Sequence, residues 1–102
     1  MEIIKKLSDM IEDEIKDAEK YAKCALNHEW DNRDLGDLFY KLSNEEMGHM
    51  SMLHDAVVKI IKEYREEKGE PPTPMMKMYE ILHQQHIDHA AAVKALQGMY
   101  KR

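Results

Sequence analysis

Cysteine, proline and glycine are scarce in this sequence, which has one, three and four of them among 102 residues. A single cysteine, Cys24, cannot form a disulfide within the chain, so a reducing compartment is the default and a cytoplasmic location is expected. With 43% apolar and 34% charged residues, the scarcity of glycine and proline is typical of a helical protein and argues against disorder.

Long apolar runs and basic blocks are also lacking. No apolar run approaches the roughly 18 residues that a membrane span needs, and charges interrupt the N-terminal stretch MEIIKKLSDMIEDE too early for a signal peptide. Acidic and basic residues are interspersed, with a net charge of −5. We therefore expect neither a membrane nor a nucleic acid as a partner.

The apolar periodicity predicts an all-α chain that forms a single domain over residues 1–102. Its helices are expected at about residues 2–28, 34–68 and 74–100. The segment Gly69–Pro74 separates the last two helices, because glycine ends helices and proline restricts the residue before it.

The second helix carries a capping signal and two internal glycines. Asp31 or Asn32 can cap its N-terminus through a side-chain oxygen. Gly36 and Gly48 lie inside the helical pattern, where each costs about 1 kcal/mol relative to alanine. We expect a packing reason for them, with Gly48 allowing a close helix approach.

Glutamate and histidine interrupt the apolar faces of the first two helices. The apolar row of the first helix consists of Ile4, Leu7, Ile11, Ala18, Tyr21 and Ala25. Glu14 lies within this row, whereas Glu12 and Glu19 fall off it and are expected on a solvated face. The row of the second helix consists of Leu35, Phe39, Leu42, Leu53, Ala56 and Ile60, and it includes Glu46 and His49. A second stripe, Met50, Val57 and Ile61, widens this apolar face. A charge inside an apolar row is costly unless it is paired or binds a metal.

These three polar residues are expected to meet. If the first two helices form an antiparallel hairpin that turns near residues 30–31, Glu14 lies within about one helical turn of both Glu46 and His49. Two carboxylates and one imidazole at one height suit iron, manganese or zinc. The sequence therefore predicts a metal site formed by Glu14, Glu46 and His49.

The same residues carry a resemblance to a known superfamily. Glu14 followed by Tyr21, and then Glu46-x-x-His49 on the next helix, resembles the first half of the ferritin-like di-iron carboxylate proteins. The string NEEMGHMSMLH is similar to the second-helix signature of these proteins, and the match covers about residues 4–61. The resemblance implies a di-iron centre with ferroxidase-like oxidation of Fe(II) by O2 or peroxide, and Tyr21 hydrogen-bonded to a metal-binding glutamate.

The resemblance covers half of the usual ligand set. A ferritin-like bundle repeats its ligands on two further helices, whereas one helix remains here. A two-fold homodimer would bring two copies of Glu14, Glu46 and His49 together, as in the similar encapsulated ferritins, whose short chains build the di-iron site between subunits. The tail ALQGMYKR shows no shell-targeting peptide, so residence in a nanocompartment is not expected.

Histidines on the second and third helices form a further candidate site. Residues at matching heights indicate that His54 can meet His86 or His89, with His83 nearby. A secondary metal site is one reading of this set. The other is that these histidines are buried and hydrogen-bonded to tyrosine, Gln85 or carbonyl groups.

Two further functions remain open from the sequence. The chain can be a non-enzymatic interaction or assembly module that keeps the hairpin, with Glu46 and His49 paired to each other or to a partner. It can also hold a mononuclear zinc or manganese ion with a structural role.

Overall fold

The computed structural model describes residues 2–100, so Met1 and the last two residues of the C-terminal tail lie outside the described part. Its helices are α1 (Glu2–Asn27), α2 (Arg33–Lys68) and α3 (Thr73–Gly98), and residues 2–100 contain no strand. The prediction of an all-α chain with three helices is confirmed, and every helix end lies within two residues of its expected place. None of the described helices has both the length and the apolar content that crossing a membrane requires.

Local signals set the ends of α2. The side chain of Asn32 accepts a hydrogen bond from the backbone N–H of Leu35 at 3.1 Å, so Asn32 rather than Asp31 is the N-cap. Gly69 ends the helix with a φ of +84°, which favours glycine, and its N–H donates to the carbonyl of Arg65.

The three helices form an elongated bundle of 56 × 18 × 17 Å. α1 and α2 pack antiparallel along most of their length, and α3 returns alongside them, packing mainly on α1. The core cluster consists of Ile4, Ile11, Ile15, Ala18, Met47, Val57, Ile61 and Val93.

Ser43 joins all three helices at one point. Its side chain is completely buried, and its hydroxyl donates to the carbonyl of Ala18 on α1 at 2.6 Å. The same oxygen accepts a hydrogen bond of 2.8 Å from the amide of Gln97 on α3. Two residues after α3, the hydroxyl of Tyr100 donates to Asp37 on α2 at 2.7 Å. These contacts fix the C-terminal end of α3 against the start of α2.

The buried faces lie to one side of the main predicted rows, and on α2 they include Val57 and Ile61 of the predicted second stripe. The most buried residues of α1 are Ile4, Ser8, Ile11, Ile15, Ala18, Ala22 and Ala25. Those of α2 are Gly36, Ser43, Met47, Val57 and Ile61. Because α3 packs beside the hairpin, the buried faces lie on the side nearer to α3 than the predicted rows do. Glu14 and Glu46 are left at the edge of the core rather than at its centre.

The two glycines inside α2 differ in what a side chain would meet. A Cβ at Gly36 would lie 2.6 Å from the Tyr100 hydroxyl and 3.3 Å from the carbonyl oxygen of His28, whereas a Cβ at Gly48 would meet no atom within 4 Å. Within the chain, the close approach is therefore at Gly36, and the expectation for Gly48 is wrong.

The pair gives a matched test of helix packing. We expect Gly48→Ala to raise the free energy of unfolding by up to about 1 kcal/mol, the difference in helix propensity. Gly36→Ala has the same gain in helix propensity, but Tyr100 must move and lose its hydrogen bond to the Asp37 carboxylate, which is worth about 1.5–3 kcal/mol, so the free energy of unfolding should fall by about 1 kcal/mol overall. Urea denaturation of both variants measures the difference, and effects of the same sign would contradict the packing at Gly36.

Candidate metal centre

Glu14 on α1 and Glu46 and His49 on α2 come together at one height of the hairpin. Nδ1 of His49 lies 3.2 Å from Oε1 of Glu46 and 3.7 Å from Oε2 of Glu14. One potential ligand atom from each residue lies within 4.8 Å of the other two. Within residues 2–100, no other group of three or more histidine, cysteine or carboxylate side chains meets this distance.

The site is open on one side. The side chains of Glu14 and Glu46 are 27% and 18% exposed, whereas that of His49 is 54% exposed. A shallow pocket of about 230 Å³ adjoins Glu14 and His49, and Met10, Met52 and Leu53 complete its lining. The carboxylates thus lie in the wall between the helices, and the imidazole reaches outward beside exposed apolar side chains.

Glu14 lacks a donor for one of its oxygens. Oε2 is buried and has no hydrogen-bond partner among the described residues, and the 3.7 Å to His49 is too long for a hydrogen bond. The pKa of Glu14 is raised, first by the adjacent carboxyl of Glu46, with which a protonated Glu14 could share a hydrogen bond. Burial and charge repulsion from Glu46 raise it further, and His49 partly offsets them. A proton or a cation would resolve this conflict.

The donor set fits a metal ion better than it fits a structural ion pair. Two carboxylates and an imidazole are ligands that Fe²⁺, Mn²⁺ and Zn²⁺ accept, and the unpartnered Oε2 of Glu14 lies 3.7 Å from Nδ1 of His49. An isolated Glu46–His49 pair would not require a second carboxylate beside it. The three side chains leave further coordination positions for water or for groups from another chain.

Tyr21 lies against Phe39 of α2. The two rings stack at 6.2 Å between centroids, and Nζ of Lys20 lies 5.1 Å from the centre of the tyrosine ring. Among residues 2–100 no hydrogen bond joins the Tyr21 hydroxyl to Glu14 or Glu46. In the single chain, Tyr21 therefore acts as an aromatic contact of the hairpin.

The candidate histidines of the second set are divided between two places. His54, His83 and His86 line one cavity, and the rings of His54 and His83 stack at 4.8 Å between centroids. His89 lies apart from this cavity, where its Nδ1 is 3.0 Å from Oε1 of Glu12. Its Nε2 is 3.5 Å from Oε2 of Glu19.

Glu12 and Glu19 are the polar residues whose role the sequence did not indicate. They were expected on a solvated face, and this is wrong because they face α3 and contact its histidines. Their spacing of seven residues puts both on one side of α1. This seven-residue spacing indicates a contact with histidines only when α3 is known to pack on this side of α1.

Comparison with known proteins gives no relative. No protein-family model matches the chain, and neither a curated protein nor a solved structure does. The functional reading therefore depends on the geometry of Glu14, Glu46 and His49 and on the chemistry of their side chains.

Proposed function

We propose that this chain is a ferritin-like protein that binds a dinuclear iron or manganese centre between two subunits. The observation that carries the proposal is the convergence of Glu14, Glu46 and His49, with a buried oxygen of Glu14 lacking a partner. The antiparallel packing of α1 and α2 supports it, because a ferritin-like half-site uses a glutamate and a Glu-x-x-His pair on two such helices.

The openness of the site supports completion by a second copy. A single chain offers three ligands, which are too few for two metal ions. The rim includes Met10 and Met52, which are 41% and 70% exposed, so a partner chain would bury apolar surface beside the metal. In a two-fold dimer the same surface meets itself, and the combined site would have four carboxylates and two imidazoles.

Each side chain has a distinct role in this proposal. Glu14 and Glu46 supply hard carboxylate oxygens, and Glu46, the more buried of the two, is the expected bridging ligand. His49 binds from the exposed side as a terminal ligand. A bound iron centre would supply the oxidation of Fe(II) by O2 or peroxide, and the protein would fix the ligands and leave coordination positions open.

A mononuclear structural site is the second candidate. It is favoured by one observation, that all three ligands already converge within one chain. In that case a monomer would bind one Zn²⁺ or Mn²⁺, with water at the remaining positions. The oligomeric state of the metal-bound protein distinguishes this candidate from the dinuclear one.

Metal content and mass, measured together, test the proposal. Protein purified without chelator and loaded with Fe(II) under anaerobic conditions should contain about one iron per chain and sediment as a dimer or larger assembly. Glu46→Ala should lose the iron, because it removes one of the two carboxylates, the one nearer to His49. Glu45→Ala is the matched control, since Glu45 is its exposed neighbour on the same helix.

The outcomes separate the candidates. A monomer with one metal per chain, lost in Glu46→Ala, would replace the dinuclear centre by the mononuclear site. Protein that takes up neither Fe(II) nor Mn²⁺ would eliminate both and leave an interaction module, in which Glu46 and His49 pair with each other.

A further inference from the structure

The third helix contacts the hairpin along two edges that differ in their chemistry. At the α1 edge, Nδ1 of His89 lies 3.0 Å from Oε1 of Glu12, and its Nε2 lies 3.5 Å from Oε2 of Glu19. At the α2 edge, the rings of His54 and His83 stack at 4.8 Å between centroids and line a cavity of about 260 Å³. The α1 edge thus pairs a histidine with two carboxylates, whereas the α2 edge places two imidazoles against each other.

His86 lies between these two edges, on the buried face of α3. Its side chain is only 10% exposed, and its Nε2 lies 3.6 Å from Oε2 of Glu12. It lines the same cavity as the α2 edge, and the apolar lining there includes Ile11, Met50 and Ala90. A positive charge on His86 would therefore have one carboxylate beside it and would otherwise lie against apolar side chains, which is costly.

The groups around the α2 edge compensate a positive charge less well than those at the α1 edge. The ring of His83 also lies against that of Tyr79, at 5.6 Å between centroids. Burial raises the pKa of Tyr79, so its phenol stays neutral in mild acid. Asp55 of α2 lines the cavity as well, but it is exposed, so solvent and salt screen its charge.

Mild acid acts on the two edges in opposite directions. Burial lowers the pKa of His83, and the neighbouring His54 lowers it further. Burial also lowers the pKa of His86, where Glu12 partly opposes the shift and the surrounding imidazoles add to it. The stability due to these neutral rings is therefore present above the ordinary histidine pKa of 6.5 and is lost as the pH falls through the lowered values. A protonated His89, in contrast, can donate from both ring nitrogens to its two carboxylates.

We propose that the α2 edge is a pH-sensitive switch, at which protonation of His54 and His83 separates α3 from α2 and opens the cavity. Two positive rings at their present separation repel each other, and a protonated His86 gains solvent when the cavity opens. Glu12 and Glu19 hold α3 on α1, so α3 turns about its α1 edge and does not dissociate. The residues of the candidate metal centre take no part in this movement, so the switch is independent of the proposed function.

Two pairs of spin labels measure the two edges separately in a Cys24→Ser background. One pair is attached at Lys59→Cys and Glu80→Cys, on α2 and α3, and the other at Lys20→Cys and Lys94→Cys, on α1 and α3; all four positions are exposed. Pulsed electron paramagnetic resonance compares about pH 7.5 with about pH 5, on either side of the ordinary histidine pKa of 6.5. In acid the α2–α3 distance should lengthen by about 5 Å, roughly half the distance between the axes of packed helices, while the α1–α3 distance stays unchanged.

Histidine variants show which rings cause the movement. His54→Gln/His83→Gln should remove most of the lengthening, because neutral amides gain no charge in acid. His28→Gln is the matched control and should leave the lengthening unchanged, because His28 lies between α1 and α2 and pairs with Asp31. The proposal fails if the α2–α3 distance is the same at both pH values in the chain with all its histidines, which needs no histidine variant to fold. It also fails if both distances lengthen together, or if the double variant lengthens as much as the parent.

Discussion

Replacing Glu14 with glutamine is expected to stabilise the metal-free protein and to abolish its stabilisation by Mn²⁺. The substitution keeps the shape of the side chain while removing a charge whose Oε2 is buried and unpartnered. A buried group without a hydrogen bond costs about 1–3 kcal/mol. Because Glu14 is 27% exposed, the glutamine should regain only part of this cost. We expect a gain of about 1 kcal/mol in the free energy of unfolding.

In the presence of Mn²⁺, the same substitution should reduce the stability that the protein gains from the bound metal. A ligand at 100 times its dissociation constant stabilises the folded state by about 2.7 kcal/mol, and the unsubstituted chain should show an increment of this order in saturating Mn²⁺. Glu14→Gln should show almost none, because an amide oxygen is a much weaker ligand than a carboxylate. Urea denaturation with and without Mn²⁺, under anaerobic conditions, measures both effects.

Glu45→Gln serves as the control for this prediction. It makes the same chemical change at an exposed position beside Glu46, so it should change neither the metal-free stability nor the Mn²⁺ increment by more than about 0.5 kcal/mol. A Glu14→Gln protein that keeps the full increment would show that Glu14 is not a ligand.

Local chemistry explains how much of the fold the sequence predicts. Asn32 caps α2 and Gly69 ends it through contacts that span three or four residues, and such signals can be read from the chain alone. The height match between Glu14 and Glu46 could likewise be predicted, because a short turn leaves little freedom in the alignment of two antiparallel helices.

The position of α3 could not be predicted in the same way. It depends on side-chain packing and on the geometry of the Gly69–Pro72 connection, which periodicity does not specify. His54 therefore meets His83 rather than His86 or His89 as its stacking partner, a shift of about one helical turn or more. The same packing turns Glu12 and Glu19 toward histidines instead of solvent.

The buried face of α1 is rotated relative to the predicted apolar row, and the second large prediction, at Ile15, follows from this. This side chain is completely buried, although it falls outside the apolar row that includes Glu14. We expect Ile15→Ala to lower the free energy of unfolding by about 2–5 kcal/mol, because it removes buried methyl groups and leaves a cavity. Total stabilities are about 5–15 kcal/mol, so the loss should be evident in urea or thermal denaturation.

Ile3→Ala is the matched control, since it truncates an isoleucine of the same helix that is 45% exposed. Its cost should stay below about 1 kcal/mol. Equal costs at the two positions would mean that α1 is rotated from the orientation described, with Glu14 nearer the centre of the core.

Substitutions at the adjacent positions 14 and 15 thus distinguish an effect on stability from an effect on metal binding. Ile15 faces the core, and its truncation should destabilise the protein with or without metal. Glu14 lies at the edge, and its neutralisation should stabilise the metal-free chain while removing the response to Mn²⁺. A carboxylate that lowers the stability of the chain on which it lies is expected where the site is arranged for a cation. Opposite signs at these two neighbouring residues would therefore support a binding role for Glu14 rather than a structural one.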